Sequence, residues 1–160
     1  MKGFLLILTV VAALSFGASA STWAETADET VAKASSAAEK ARDAMAKAGS
    51  IALVAREAAA QARGAAEKAR NLPSSRTREL DTGRYRYLGE VRNGVPHGYG
   101  VRQFDGGGRY EGEFLDGDVH GFAVFTLGED NRYEGQFWRG KRSGYGVFSF
   151  FGGSRIEGKF

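Results

Sequence analysis

The chain has 160 residues, a formal charge of +3 and no cysteine. That length accommodates one ordinary domain, and the lack of cysteine excludes a disulfide framework and thiol chemistry. Basic and acidic residues are interleaved rather than gathered on one element, which argues against a nucleic-acid binder.

Composition changes sharply along the chain. All six tyrosines and nine of the eleven phenylalanines follow residue 84, whereas alanine dominates the stretch before residue 72. The first twenty residues differ again: Lys2, the apolar run "FLLILTVVAALSF" and the small residues Ala18-Ser19-Ala20. A short positive start, an apolar stretch and a small-residue site read as a secretory signal over 1–20, cleaved after Ala20. The run is shorter than the roughly 20 residues of a spanning helix, which disfavours an uncleaved anchor. The expected location is periplasmic or secreted, with membrane association a further option.

From Ala24 to Ala69 apolar residues recur at alternating steps of three and four: Ala24, Ala27, Val31, Ala34, Ala38, Ala41, Met45, Ala48, Ala52, Ala55, Ala59, Ala62, Ala66 and Ala69. That period of 3.5 puts all of them on one seam of a helix, as in a coiled coil. Segment 21–72 is therefore expected to be an Ala-rich helix, continuous across Gly49-Ser50 because the seam stays in phase. An alanine methyl buries little apolar surface, worth at most about 0.8 kcal/mol. The helix is then either a weakly self-associating stalk, with a homo-oligomer formed through 24–69, or a solvated spacer. Pro73 ends it, and residues 73–86 form a linker that leads into the next region.

After residue 86 the sequence repeats with a period of 23. The units are 87–109, 110–132 and 133–155, and a fourth begins at 156–160. Fixed columns run through them: Tyr87, Tyr110, Tyr133; Gly89, Gly112, Gly135; Val91, Phe114, Phe137; Gly98, Gly121, Gly144. Each unit has room for one hairpin, with alternating strands and turns at Asn93-Gly94, Asp116-Gly117 and Gly140. Successive hairpins give one antiparallel meander. If residue 92 faces residue 99, then Tyr87, Val91, Gly100 and Phe104 share a face and rings lie over bare backbone of the neighbouring strand. The aromatic face is the expected core. The other face, with no helices between the strands, is expected to stay wet or to meet a partner, with Glu111 pointing outward. The fold class is α+β: a long helix, then an all-antiparallel repeat sheet.

The pattern Tyr-x-Gly-x-aromatic, then Gly, then His-Gly-x-Gly, as in "YEGEFLDGDVHGFAVF", resembles the MORN repeat (membrane occupation and recognition nexus). The resemblance covers 87–160, with departures at Val91, Ala123, Ser143 and Ile156. It implies a β-hairpin array that binds, scaffolds or dimerises, and in which catalysis belongs to other domains. Lipid binding is often suggested for such repeats.

Side chains that could carry chemistry point the same way. His97 and His120 stand one repeat apart, about 10 Å across two strands, too far to share a zinc ion with ligands near 2.1 Å. They are expected to stabilise turns. The pairs Glu111/Glu113 and Glu129/Asp130 lack a burying pocket that would shift a carboxylate towards catalysis. "GGG" at 106–108 lacks the Lys-Ser/Thr of a phosphate loop. No catalytic residue, metal or cofactor is expected, and no enzyme. Trp138, Arg139, Lys141 and Arg142 form the candidate interaction surface, for an acidic phospholipid headgroup or an acidic protein partner; alternatively Trp138 lies over the sheet beside a solvated basic turn.

Overall fold

A computed structural model of the chain describes residues 20–128 and 131–160, with side chains from residue 28 onward. Residues 1–19, nearly all of the segment read as a secretion signal, and the pair Glu129/Asp130 lie outside the described residues.

Helix α1 runs Ala20–Arg70 as a single element of 51 residues. Alanine loses the least on entering a helix, so the phase of the seam carries the backbone through Gly49-Ser50. Lys68 and Arg70 place positive charge on the last turn, where the helix dipole favours it. The chain divides into two compact units between Lys47 and Ala48. In the first, every described side chain is exposed; Val31 is 60% and Met45 74% exposed. Among the described residues no helix is long and apolar enough to cross a membrane.

The second unit is built on one sheet of eight antiparallel strands in sequence order. They are β1 (Arg78–Asp81), β2 (Tyr85–Arg92), β3 (Val95–Phe104), β4 (Gly108–Leu115), β5 (Asp118–Leu127), β6 (Asn131–Trp138), β7 (Lys141–Ser149) and β8 (Arg155–Lys159). Each repeat is a hairpin, closed by Asn93-Gly94, Asp116-Gly117 or Arg139-Gly140, with positive φ at both residues of every pair. Such two-residue turns match the twist of the strands they join.

These tight turns correct the expected register. Arg92 faces Val95, not Tyr99, and Tyr87 faces Arg102. A bulge between Gly89 and Val91 takes up two of these four residues, and the same shift recurs between Gly112 and Phe114 and between Gly135 and Phe137. Because the displacement is even, side-chain faces do not exchange. Tyr87, Phe114, Tyr133 and Phe137 remain on one side as a buried cluster, with Val91, Tyr110, Phe125 and Phe148 packed against it.

The expectation for the opposite face is overturned. That face is covered by the second half of α1: Ala55 and Ala59 pack on Val147, and Ala62 and Ala66 pack on Val124 with Phe122 alongside. Ala55, Ala59, Ala62, Ala66 and Ala69 are all buried. The small side chains that suggested weak association let the helix lie close on the sheet, and this half of it is neither spacer nor stalk. Glu111, expected to point into solvent, is also buried here.

Candidate binding surfaces

On the aromatic face, rings and glycines fit together across strands. A Cβ at Gly89 would stand 2.6 Å from the Tyr87 hydroxyl, and one at Gly100 would run into the same ring. In the third repeat, Cβ atoms at Gly135 and Gly146 would approach the Tyr133 hydroxyl to 2.7 and 2.6 Å. Each of these tyrosines donates to the carbonyl three residues on, in the bulge: Tyr87 Oη to Glu90 O at 2.8 Å, Tyr133 Oη to Gln136 O at 3.2 Å. Burial pushes the Tyr87 hydroxyl well above the ordinary range and the Tyr133 hydroxyl up to about 12.

Each tyrosine also meets edge-on the phenylalanine of the next unit. Centroid distances are 5.1 Å for Tyr87–Phe114, 5.5 Å for Tyr110–Phe137 and 4.9 Å for Tyr133–Phe160. Phe160, in the fragment of a fourth unit, thus completes the series for the third.

The middle repeat breaks the pattern. Ala123 stands where the outer units have Gly100 and Gly146, and its fully buried methyl fills the space a tyrosine ring takes there. The Tyr110 ring is only half-buried and leans on Phe125 at 4.5 Å. Gly112 opposite lies at φ 148°, and a Cβ on it would stand 2.5 Å from Phe122 O. An aromatic groove opens at this point, lined by Tyr110, Phe125, Leu127, Phe137, Lys141, Arg142 and Phe148. Among the described residues its two charges are both positive. The Arg142 guanidinium is caged by the rings of Tyr133, Phe148 and Phe160 at 5.2–5.7 Å, within cation–π range. Arg102, towards the other end of the face, is buried, stacks on Tyr85 and Phe114 and donates to Gly117 O; burial pulls its pKa down.

The Gly98, Gly121 and Gly144 column has a shared reason. All three have φ between 65° and 74°, a region a side chain resists. Facing them, Glu90, Glu113 and Gln136 accept the N–H of Tyr99, Phe122 and Tyr145 at 2.7–2.8 Å. The long side chain satisfies backbone that the bulge leaves without a ladder partner.

The helix-covered face is organised by charge. Arg56, Arg63 and Arg70, seven residues apart on α1, bind Glu157, Glu134 and Glu111, 23 residues apart on the sheet, at 2.8, 2.6 and 2.8 Å. Each glutamate also holds the strand arginine two residues before it, Arg155, Arg132 or Arg109. One heptad rises about 10.5 Å and one hairpin spans about 9.5 Å, so a single motif repeats along both partners. These residues were not anticipated, although both spacings stand in the sequence.

The four residues of the expected basic corner are not brought together. Phe137 pairs with Arg142 and Trp138 with Lys141, so the hairpin turns Arg142 to the aromatic groove and Trp138 away from it, while Lys141, beside the turn, reaches the groove's edge. Arg139 sits at the turn tip, at φ 47°. Trp138 is 58% exposed, and the His120 ring stacks on it at 4.4 Å. His97 Nδ1 lies 3.5 Å from the Asp116 carboxylate, which the Arg92 side chain holds below the usual range. Each histidine thus contacts the turn of the following unit. Among the described residues no group of three His, Cys, Asp or Glu side chains is placed to hold a metal.

Residues 87–109, 110–132 and 133–155 each match the MORN repeat family model. No curated protein matches the chain.

Proposed function

Since this sheet is a run of three consecutive MORN repeats, modules that bind proteins or lipids in general, we propose that the chain is an exported, non-enzymatic scaffold that takes a protein partner in its aromatic groove. The carrying observation is the groove between the middle and third repeats: ring edges, two cations and, among the described residues, no carboxylate in its lining. Aromatic side chains give large contact area at low entropic cost, and a ring-caged arginine is already held in place. An acidic, apolar segment fits that chemistry. Export rests on the sequence of residues 1–20, and a reporter fused to residues 1–24 should be secreted.

The test is capture from the native compartment with the wild type and with an Arg142→Glu/Lys141→Glu variant. Loss of the captured partner with the variant supports the groove; equal capture by both proteins removes it. Exposure of Trp138, with Lys141 paired to it and Arg139 at the tip, favours a second reading, binding to acidic phospholipid headgroups. There, acidic vesicles should sediment the wild type and leave a Trp138→Ala/Arg142→Glu variant in solution.

A further inference from the structure

The hairpins under α1 follow one rule. On the helix an alanine followed by an arginine meets a sheet glutamate three times, at Ala55-Arg56, Ala62-Arg63 and Ala69-Arg70, and Val147 and Val124 pack against the first two steps. The first hairpin continues this surface, but α1 ends at Arg70. The linker then turns towards Tyr99, where Leu72, Pro73 and Arg76 line a separate groove and Arg76 binds Glu90. An empty place is left beside the helix end, floored by Leu88 and Val101 and edged by Arg70, Arg86 and Arg109 with Glu79.

Its chemistry is altered from the occupied places. In the glutamate column stands Leu88, 53% exposed, while Arg86 keeps the arginine position without an ion pair among the described residues. Counting Glu111, which already holds Arg70 and Arg109, the arginines exceed the carboxylates. An arginine-bearing heptad would meet like charge here, and one with a carboxylate in that position would meet opposite charge. The exposed half of α1 contains such a heptad. Four heptads before Arg56, the seam position is followed by Asp28 instead of arginine, and three residues on stands the exposed Val31.

We propose that the Asp28–Val31 turn of one copy docks on the Leu88 place of a second copy, Asp28 to Arg86 and Val31 to Leu88. The surface is continuous with the helix–sheet interface inside each copy and uses the same seam. Donor and acceptor are different surfaces, so each copy donates to one neighbour and accepts from another, and molecules join in series. This self-assembly is independent of the groove reading, because no residue of the groove takes part.

Charge exchange in the purified full-length protein tests it by analytical ultracentrifugation, with circular dichroism to verify folding. The wild type should show mass rising with concentration beyond a dimer. Arg86→Glu alone and Asp28→Arg alone should each weaken association about tenfold or more, equivalent to about 1.4 kcal/mol. An equimolar mixture should recover it, since each variant then meets the opposite charge in the other. A wild type that is monomeric up to about 100 μM, variants that associate as the wild type does, or a mixture no stronger than its components would each overturn the proposal. Association abolished by Met45→Glu but kept by Arg86→Glu would assign it to helix pairing and overturn it equally.

Discussion

The two faces of the sheet solve the same packing problem by opposite means. On the aromatic face, large rings lie over bare glycine backbone, and fit is set by steric exclusion at distances near 2.6 Å. On the helix face the apolar contacts are methyl-sized, and an alanine seam by itself would tolerate a shift of one heptad. Position there is set by charge, through the three Arg–Glu–Arg groups. One face gains its stability from area and the other gains its alignment from ion pairs. Perturbations of shape and of charge should therefore affect the faces differently.

The largest effect is expected where shape leaves no room. Gly112→Val drives a side chain against the Phe122 carbonyl and the Ala123 backbone at a positive φ. Overpacking and backbone strain together should cost about 3 kcal/mol or more in a urea melt.

Alkaline titration comes next, and it acts only on the aromatic face. The folded pKa of Tyr87 and Tyr133 lies above that of free tyrosine. The unfolded chain therefore releases these protons first, near pH 10. Their contribution is fully present below pH 10 and is lost as pH rises from 10 towards 12. Stability measured by denaturant should fall by about 2 kcal/mol between pH 10 and 11 for the two rings together. A flat profile over that window would mean the hydroxyls are not buried.

Glu111→Gln probes the other face. It removes the shared charge between Arg70 and Arg109 without changing volume, and should cost about 1.5 kcal/mol. A change below about 0.5 kcal/mol, the size of an ordinary surface substitution, would return Glu111 to solvent and detach the helix from the sheet. The smallest expected effect sharpens the contrast within the aromatic face. Tyr133→Phe deletes a hydroxyl that donates to Gln136 O and should cost about 1 kcal/mol, while Tyr110→Phe, whose hydroxyl makes no bond among the described residues, should be nearly silent.

How much of this was legible varied with the range of the interaction. The tyrosine and glycine columns announce the hairpins because a strand alternates locally, and Asn93-Gly94 announces its turn. The register is displaced by four residues beside the turn and by two beyond the bulge, where Gly98 and the Glu90 side chain together absorb extra chain, which alternation alone does not reveal. The docking of α1 was missed for a different reason. A 3.5-residue alanine seam fits a helix partner and a sheet partner alike, and only the joint spacing of Arg56, Arg63 and Arg70 with Glu111, Glu134 and Glu157 separates the two. Trp138 and Arg142 look like neighbours in sequence, yet the tight turn between them sends them to opposite faces.

The methyl of Ala123 has a consequence that reaches beyond local packing. Three identical hairpins would present the same surface three times over, and an extended ligand could bind one unit to either side with equal ease. A substituent of a single carbon removes that degeneracy by leaving one ring, Tyr110, half-buried against Phe125 at the start of a groove that runs from the middle repeat onto the third. A periodic scaffold thereby gains an origin. The sheet acquires a marked position from which any bound segment can be counted, so a ligand long enough to contact all three units has one alignment instead of several.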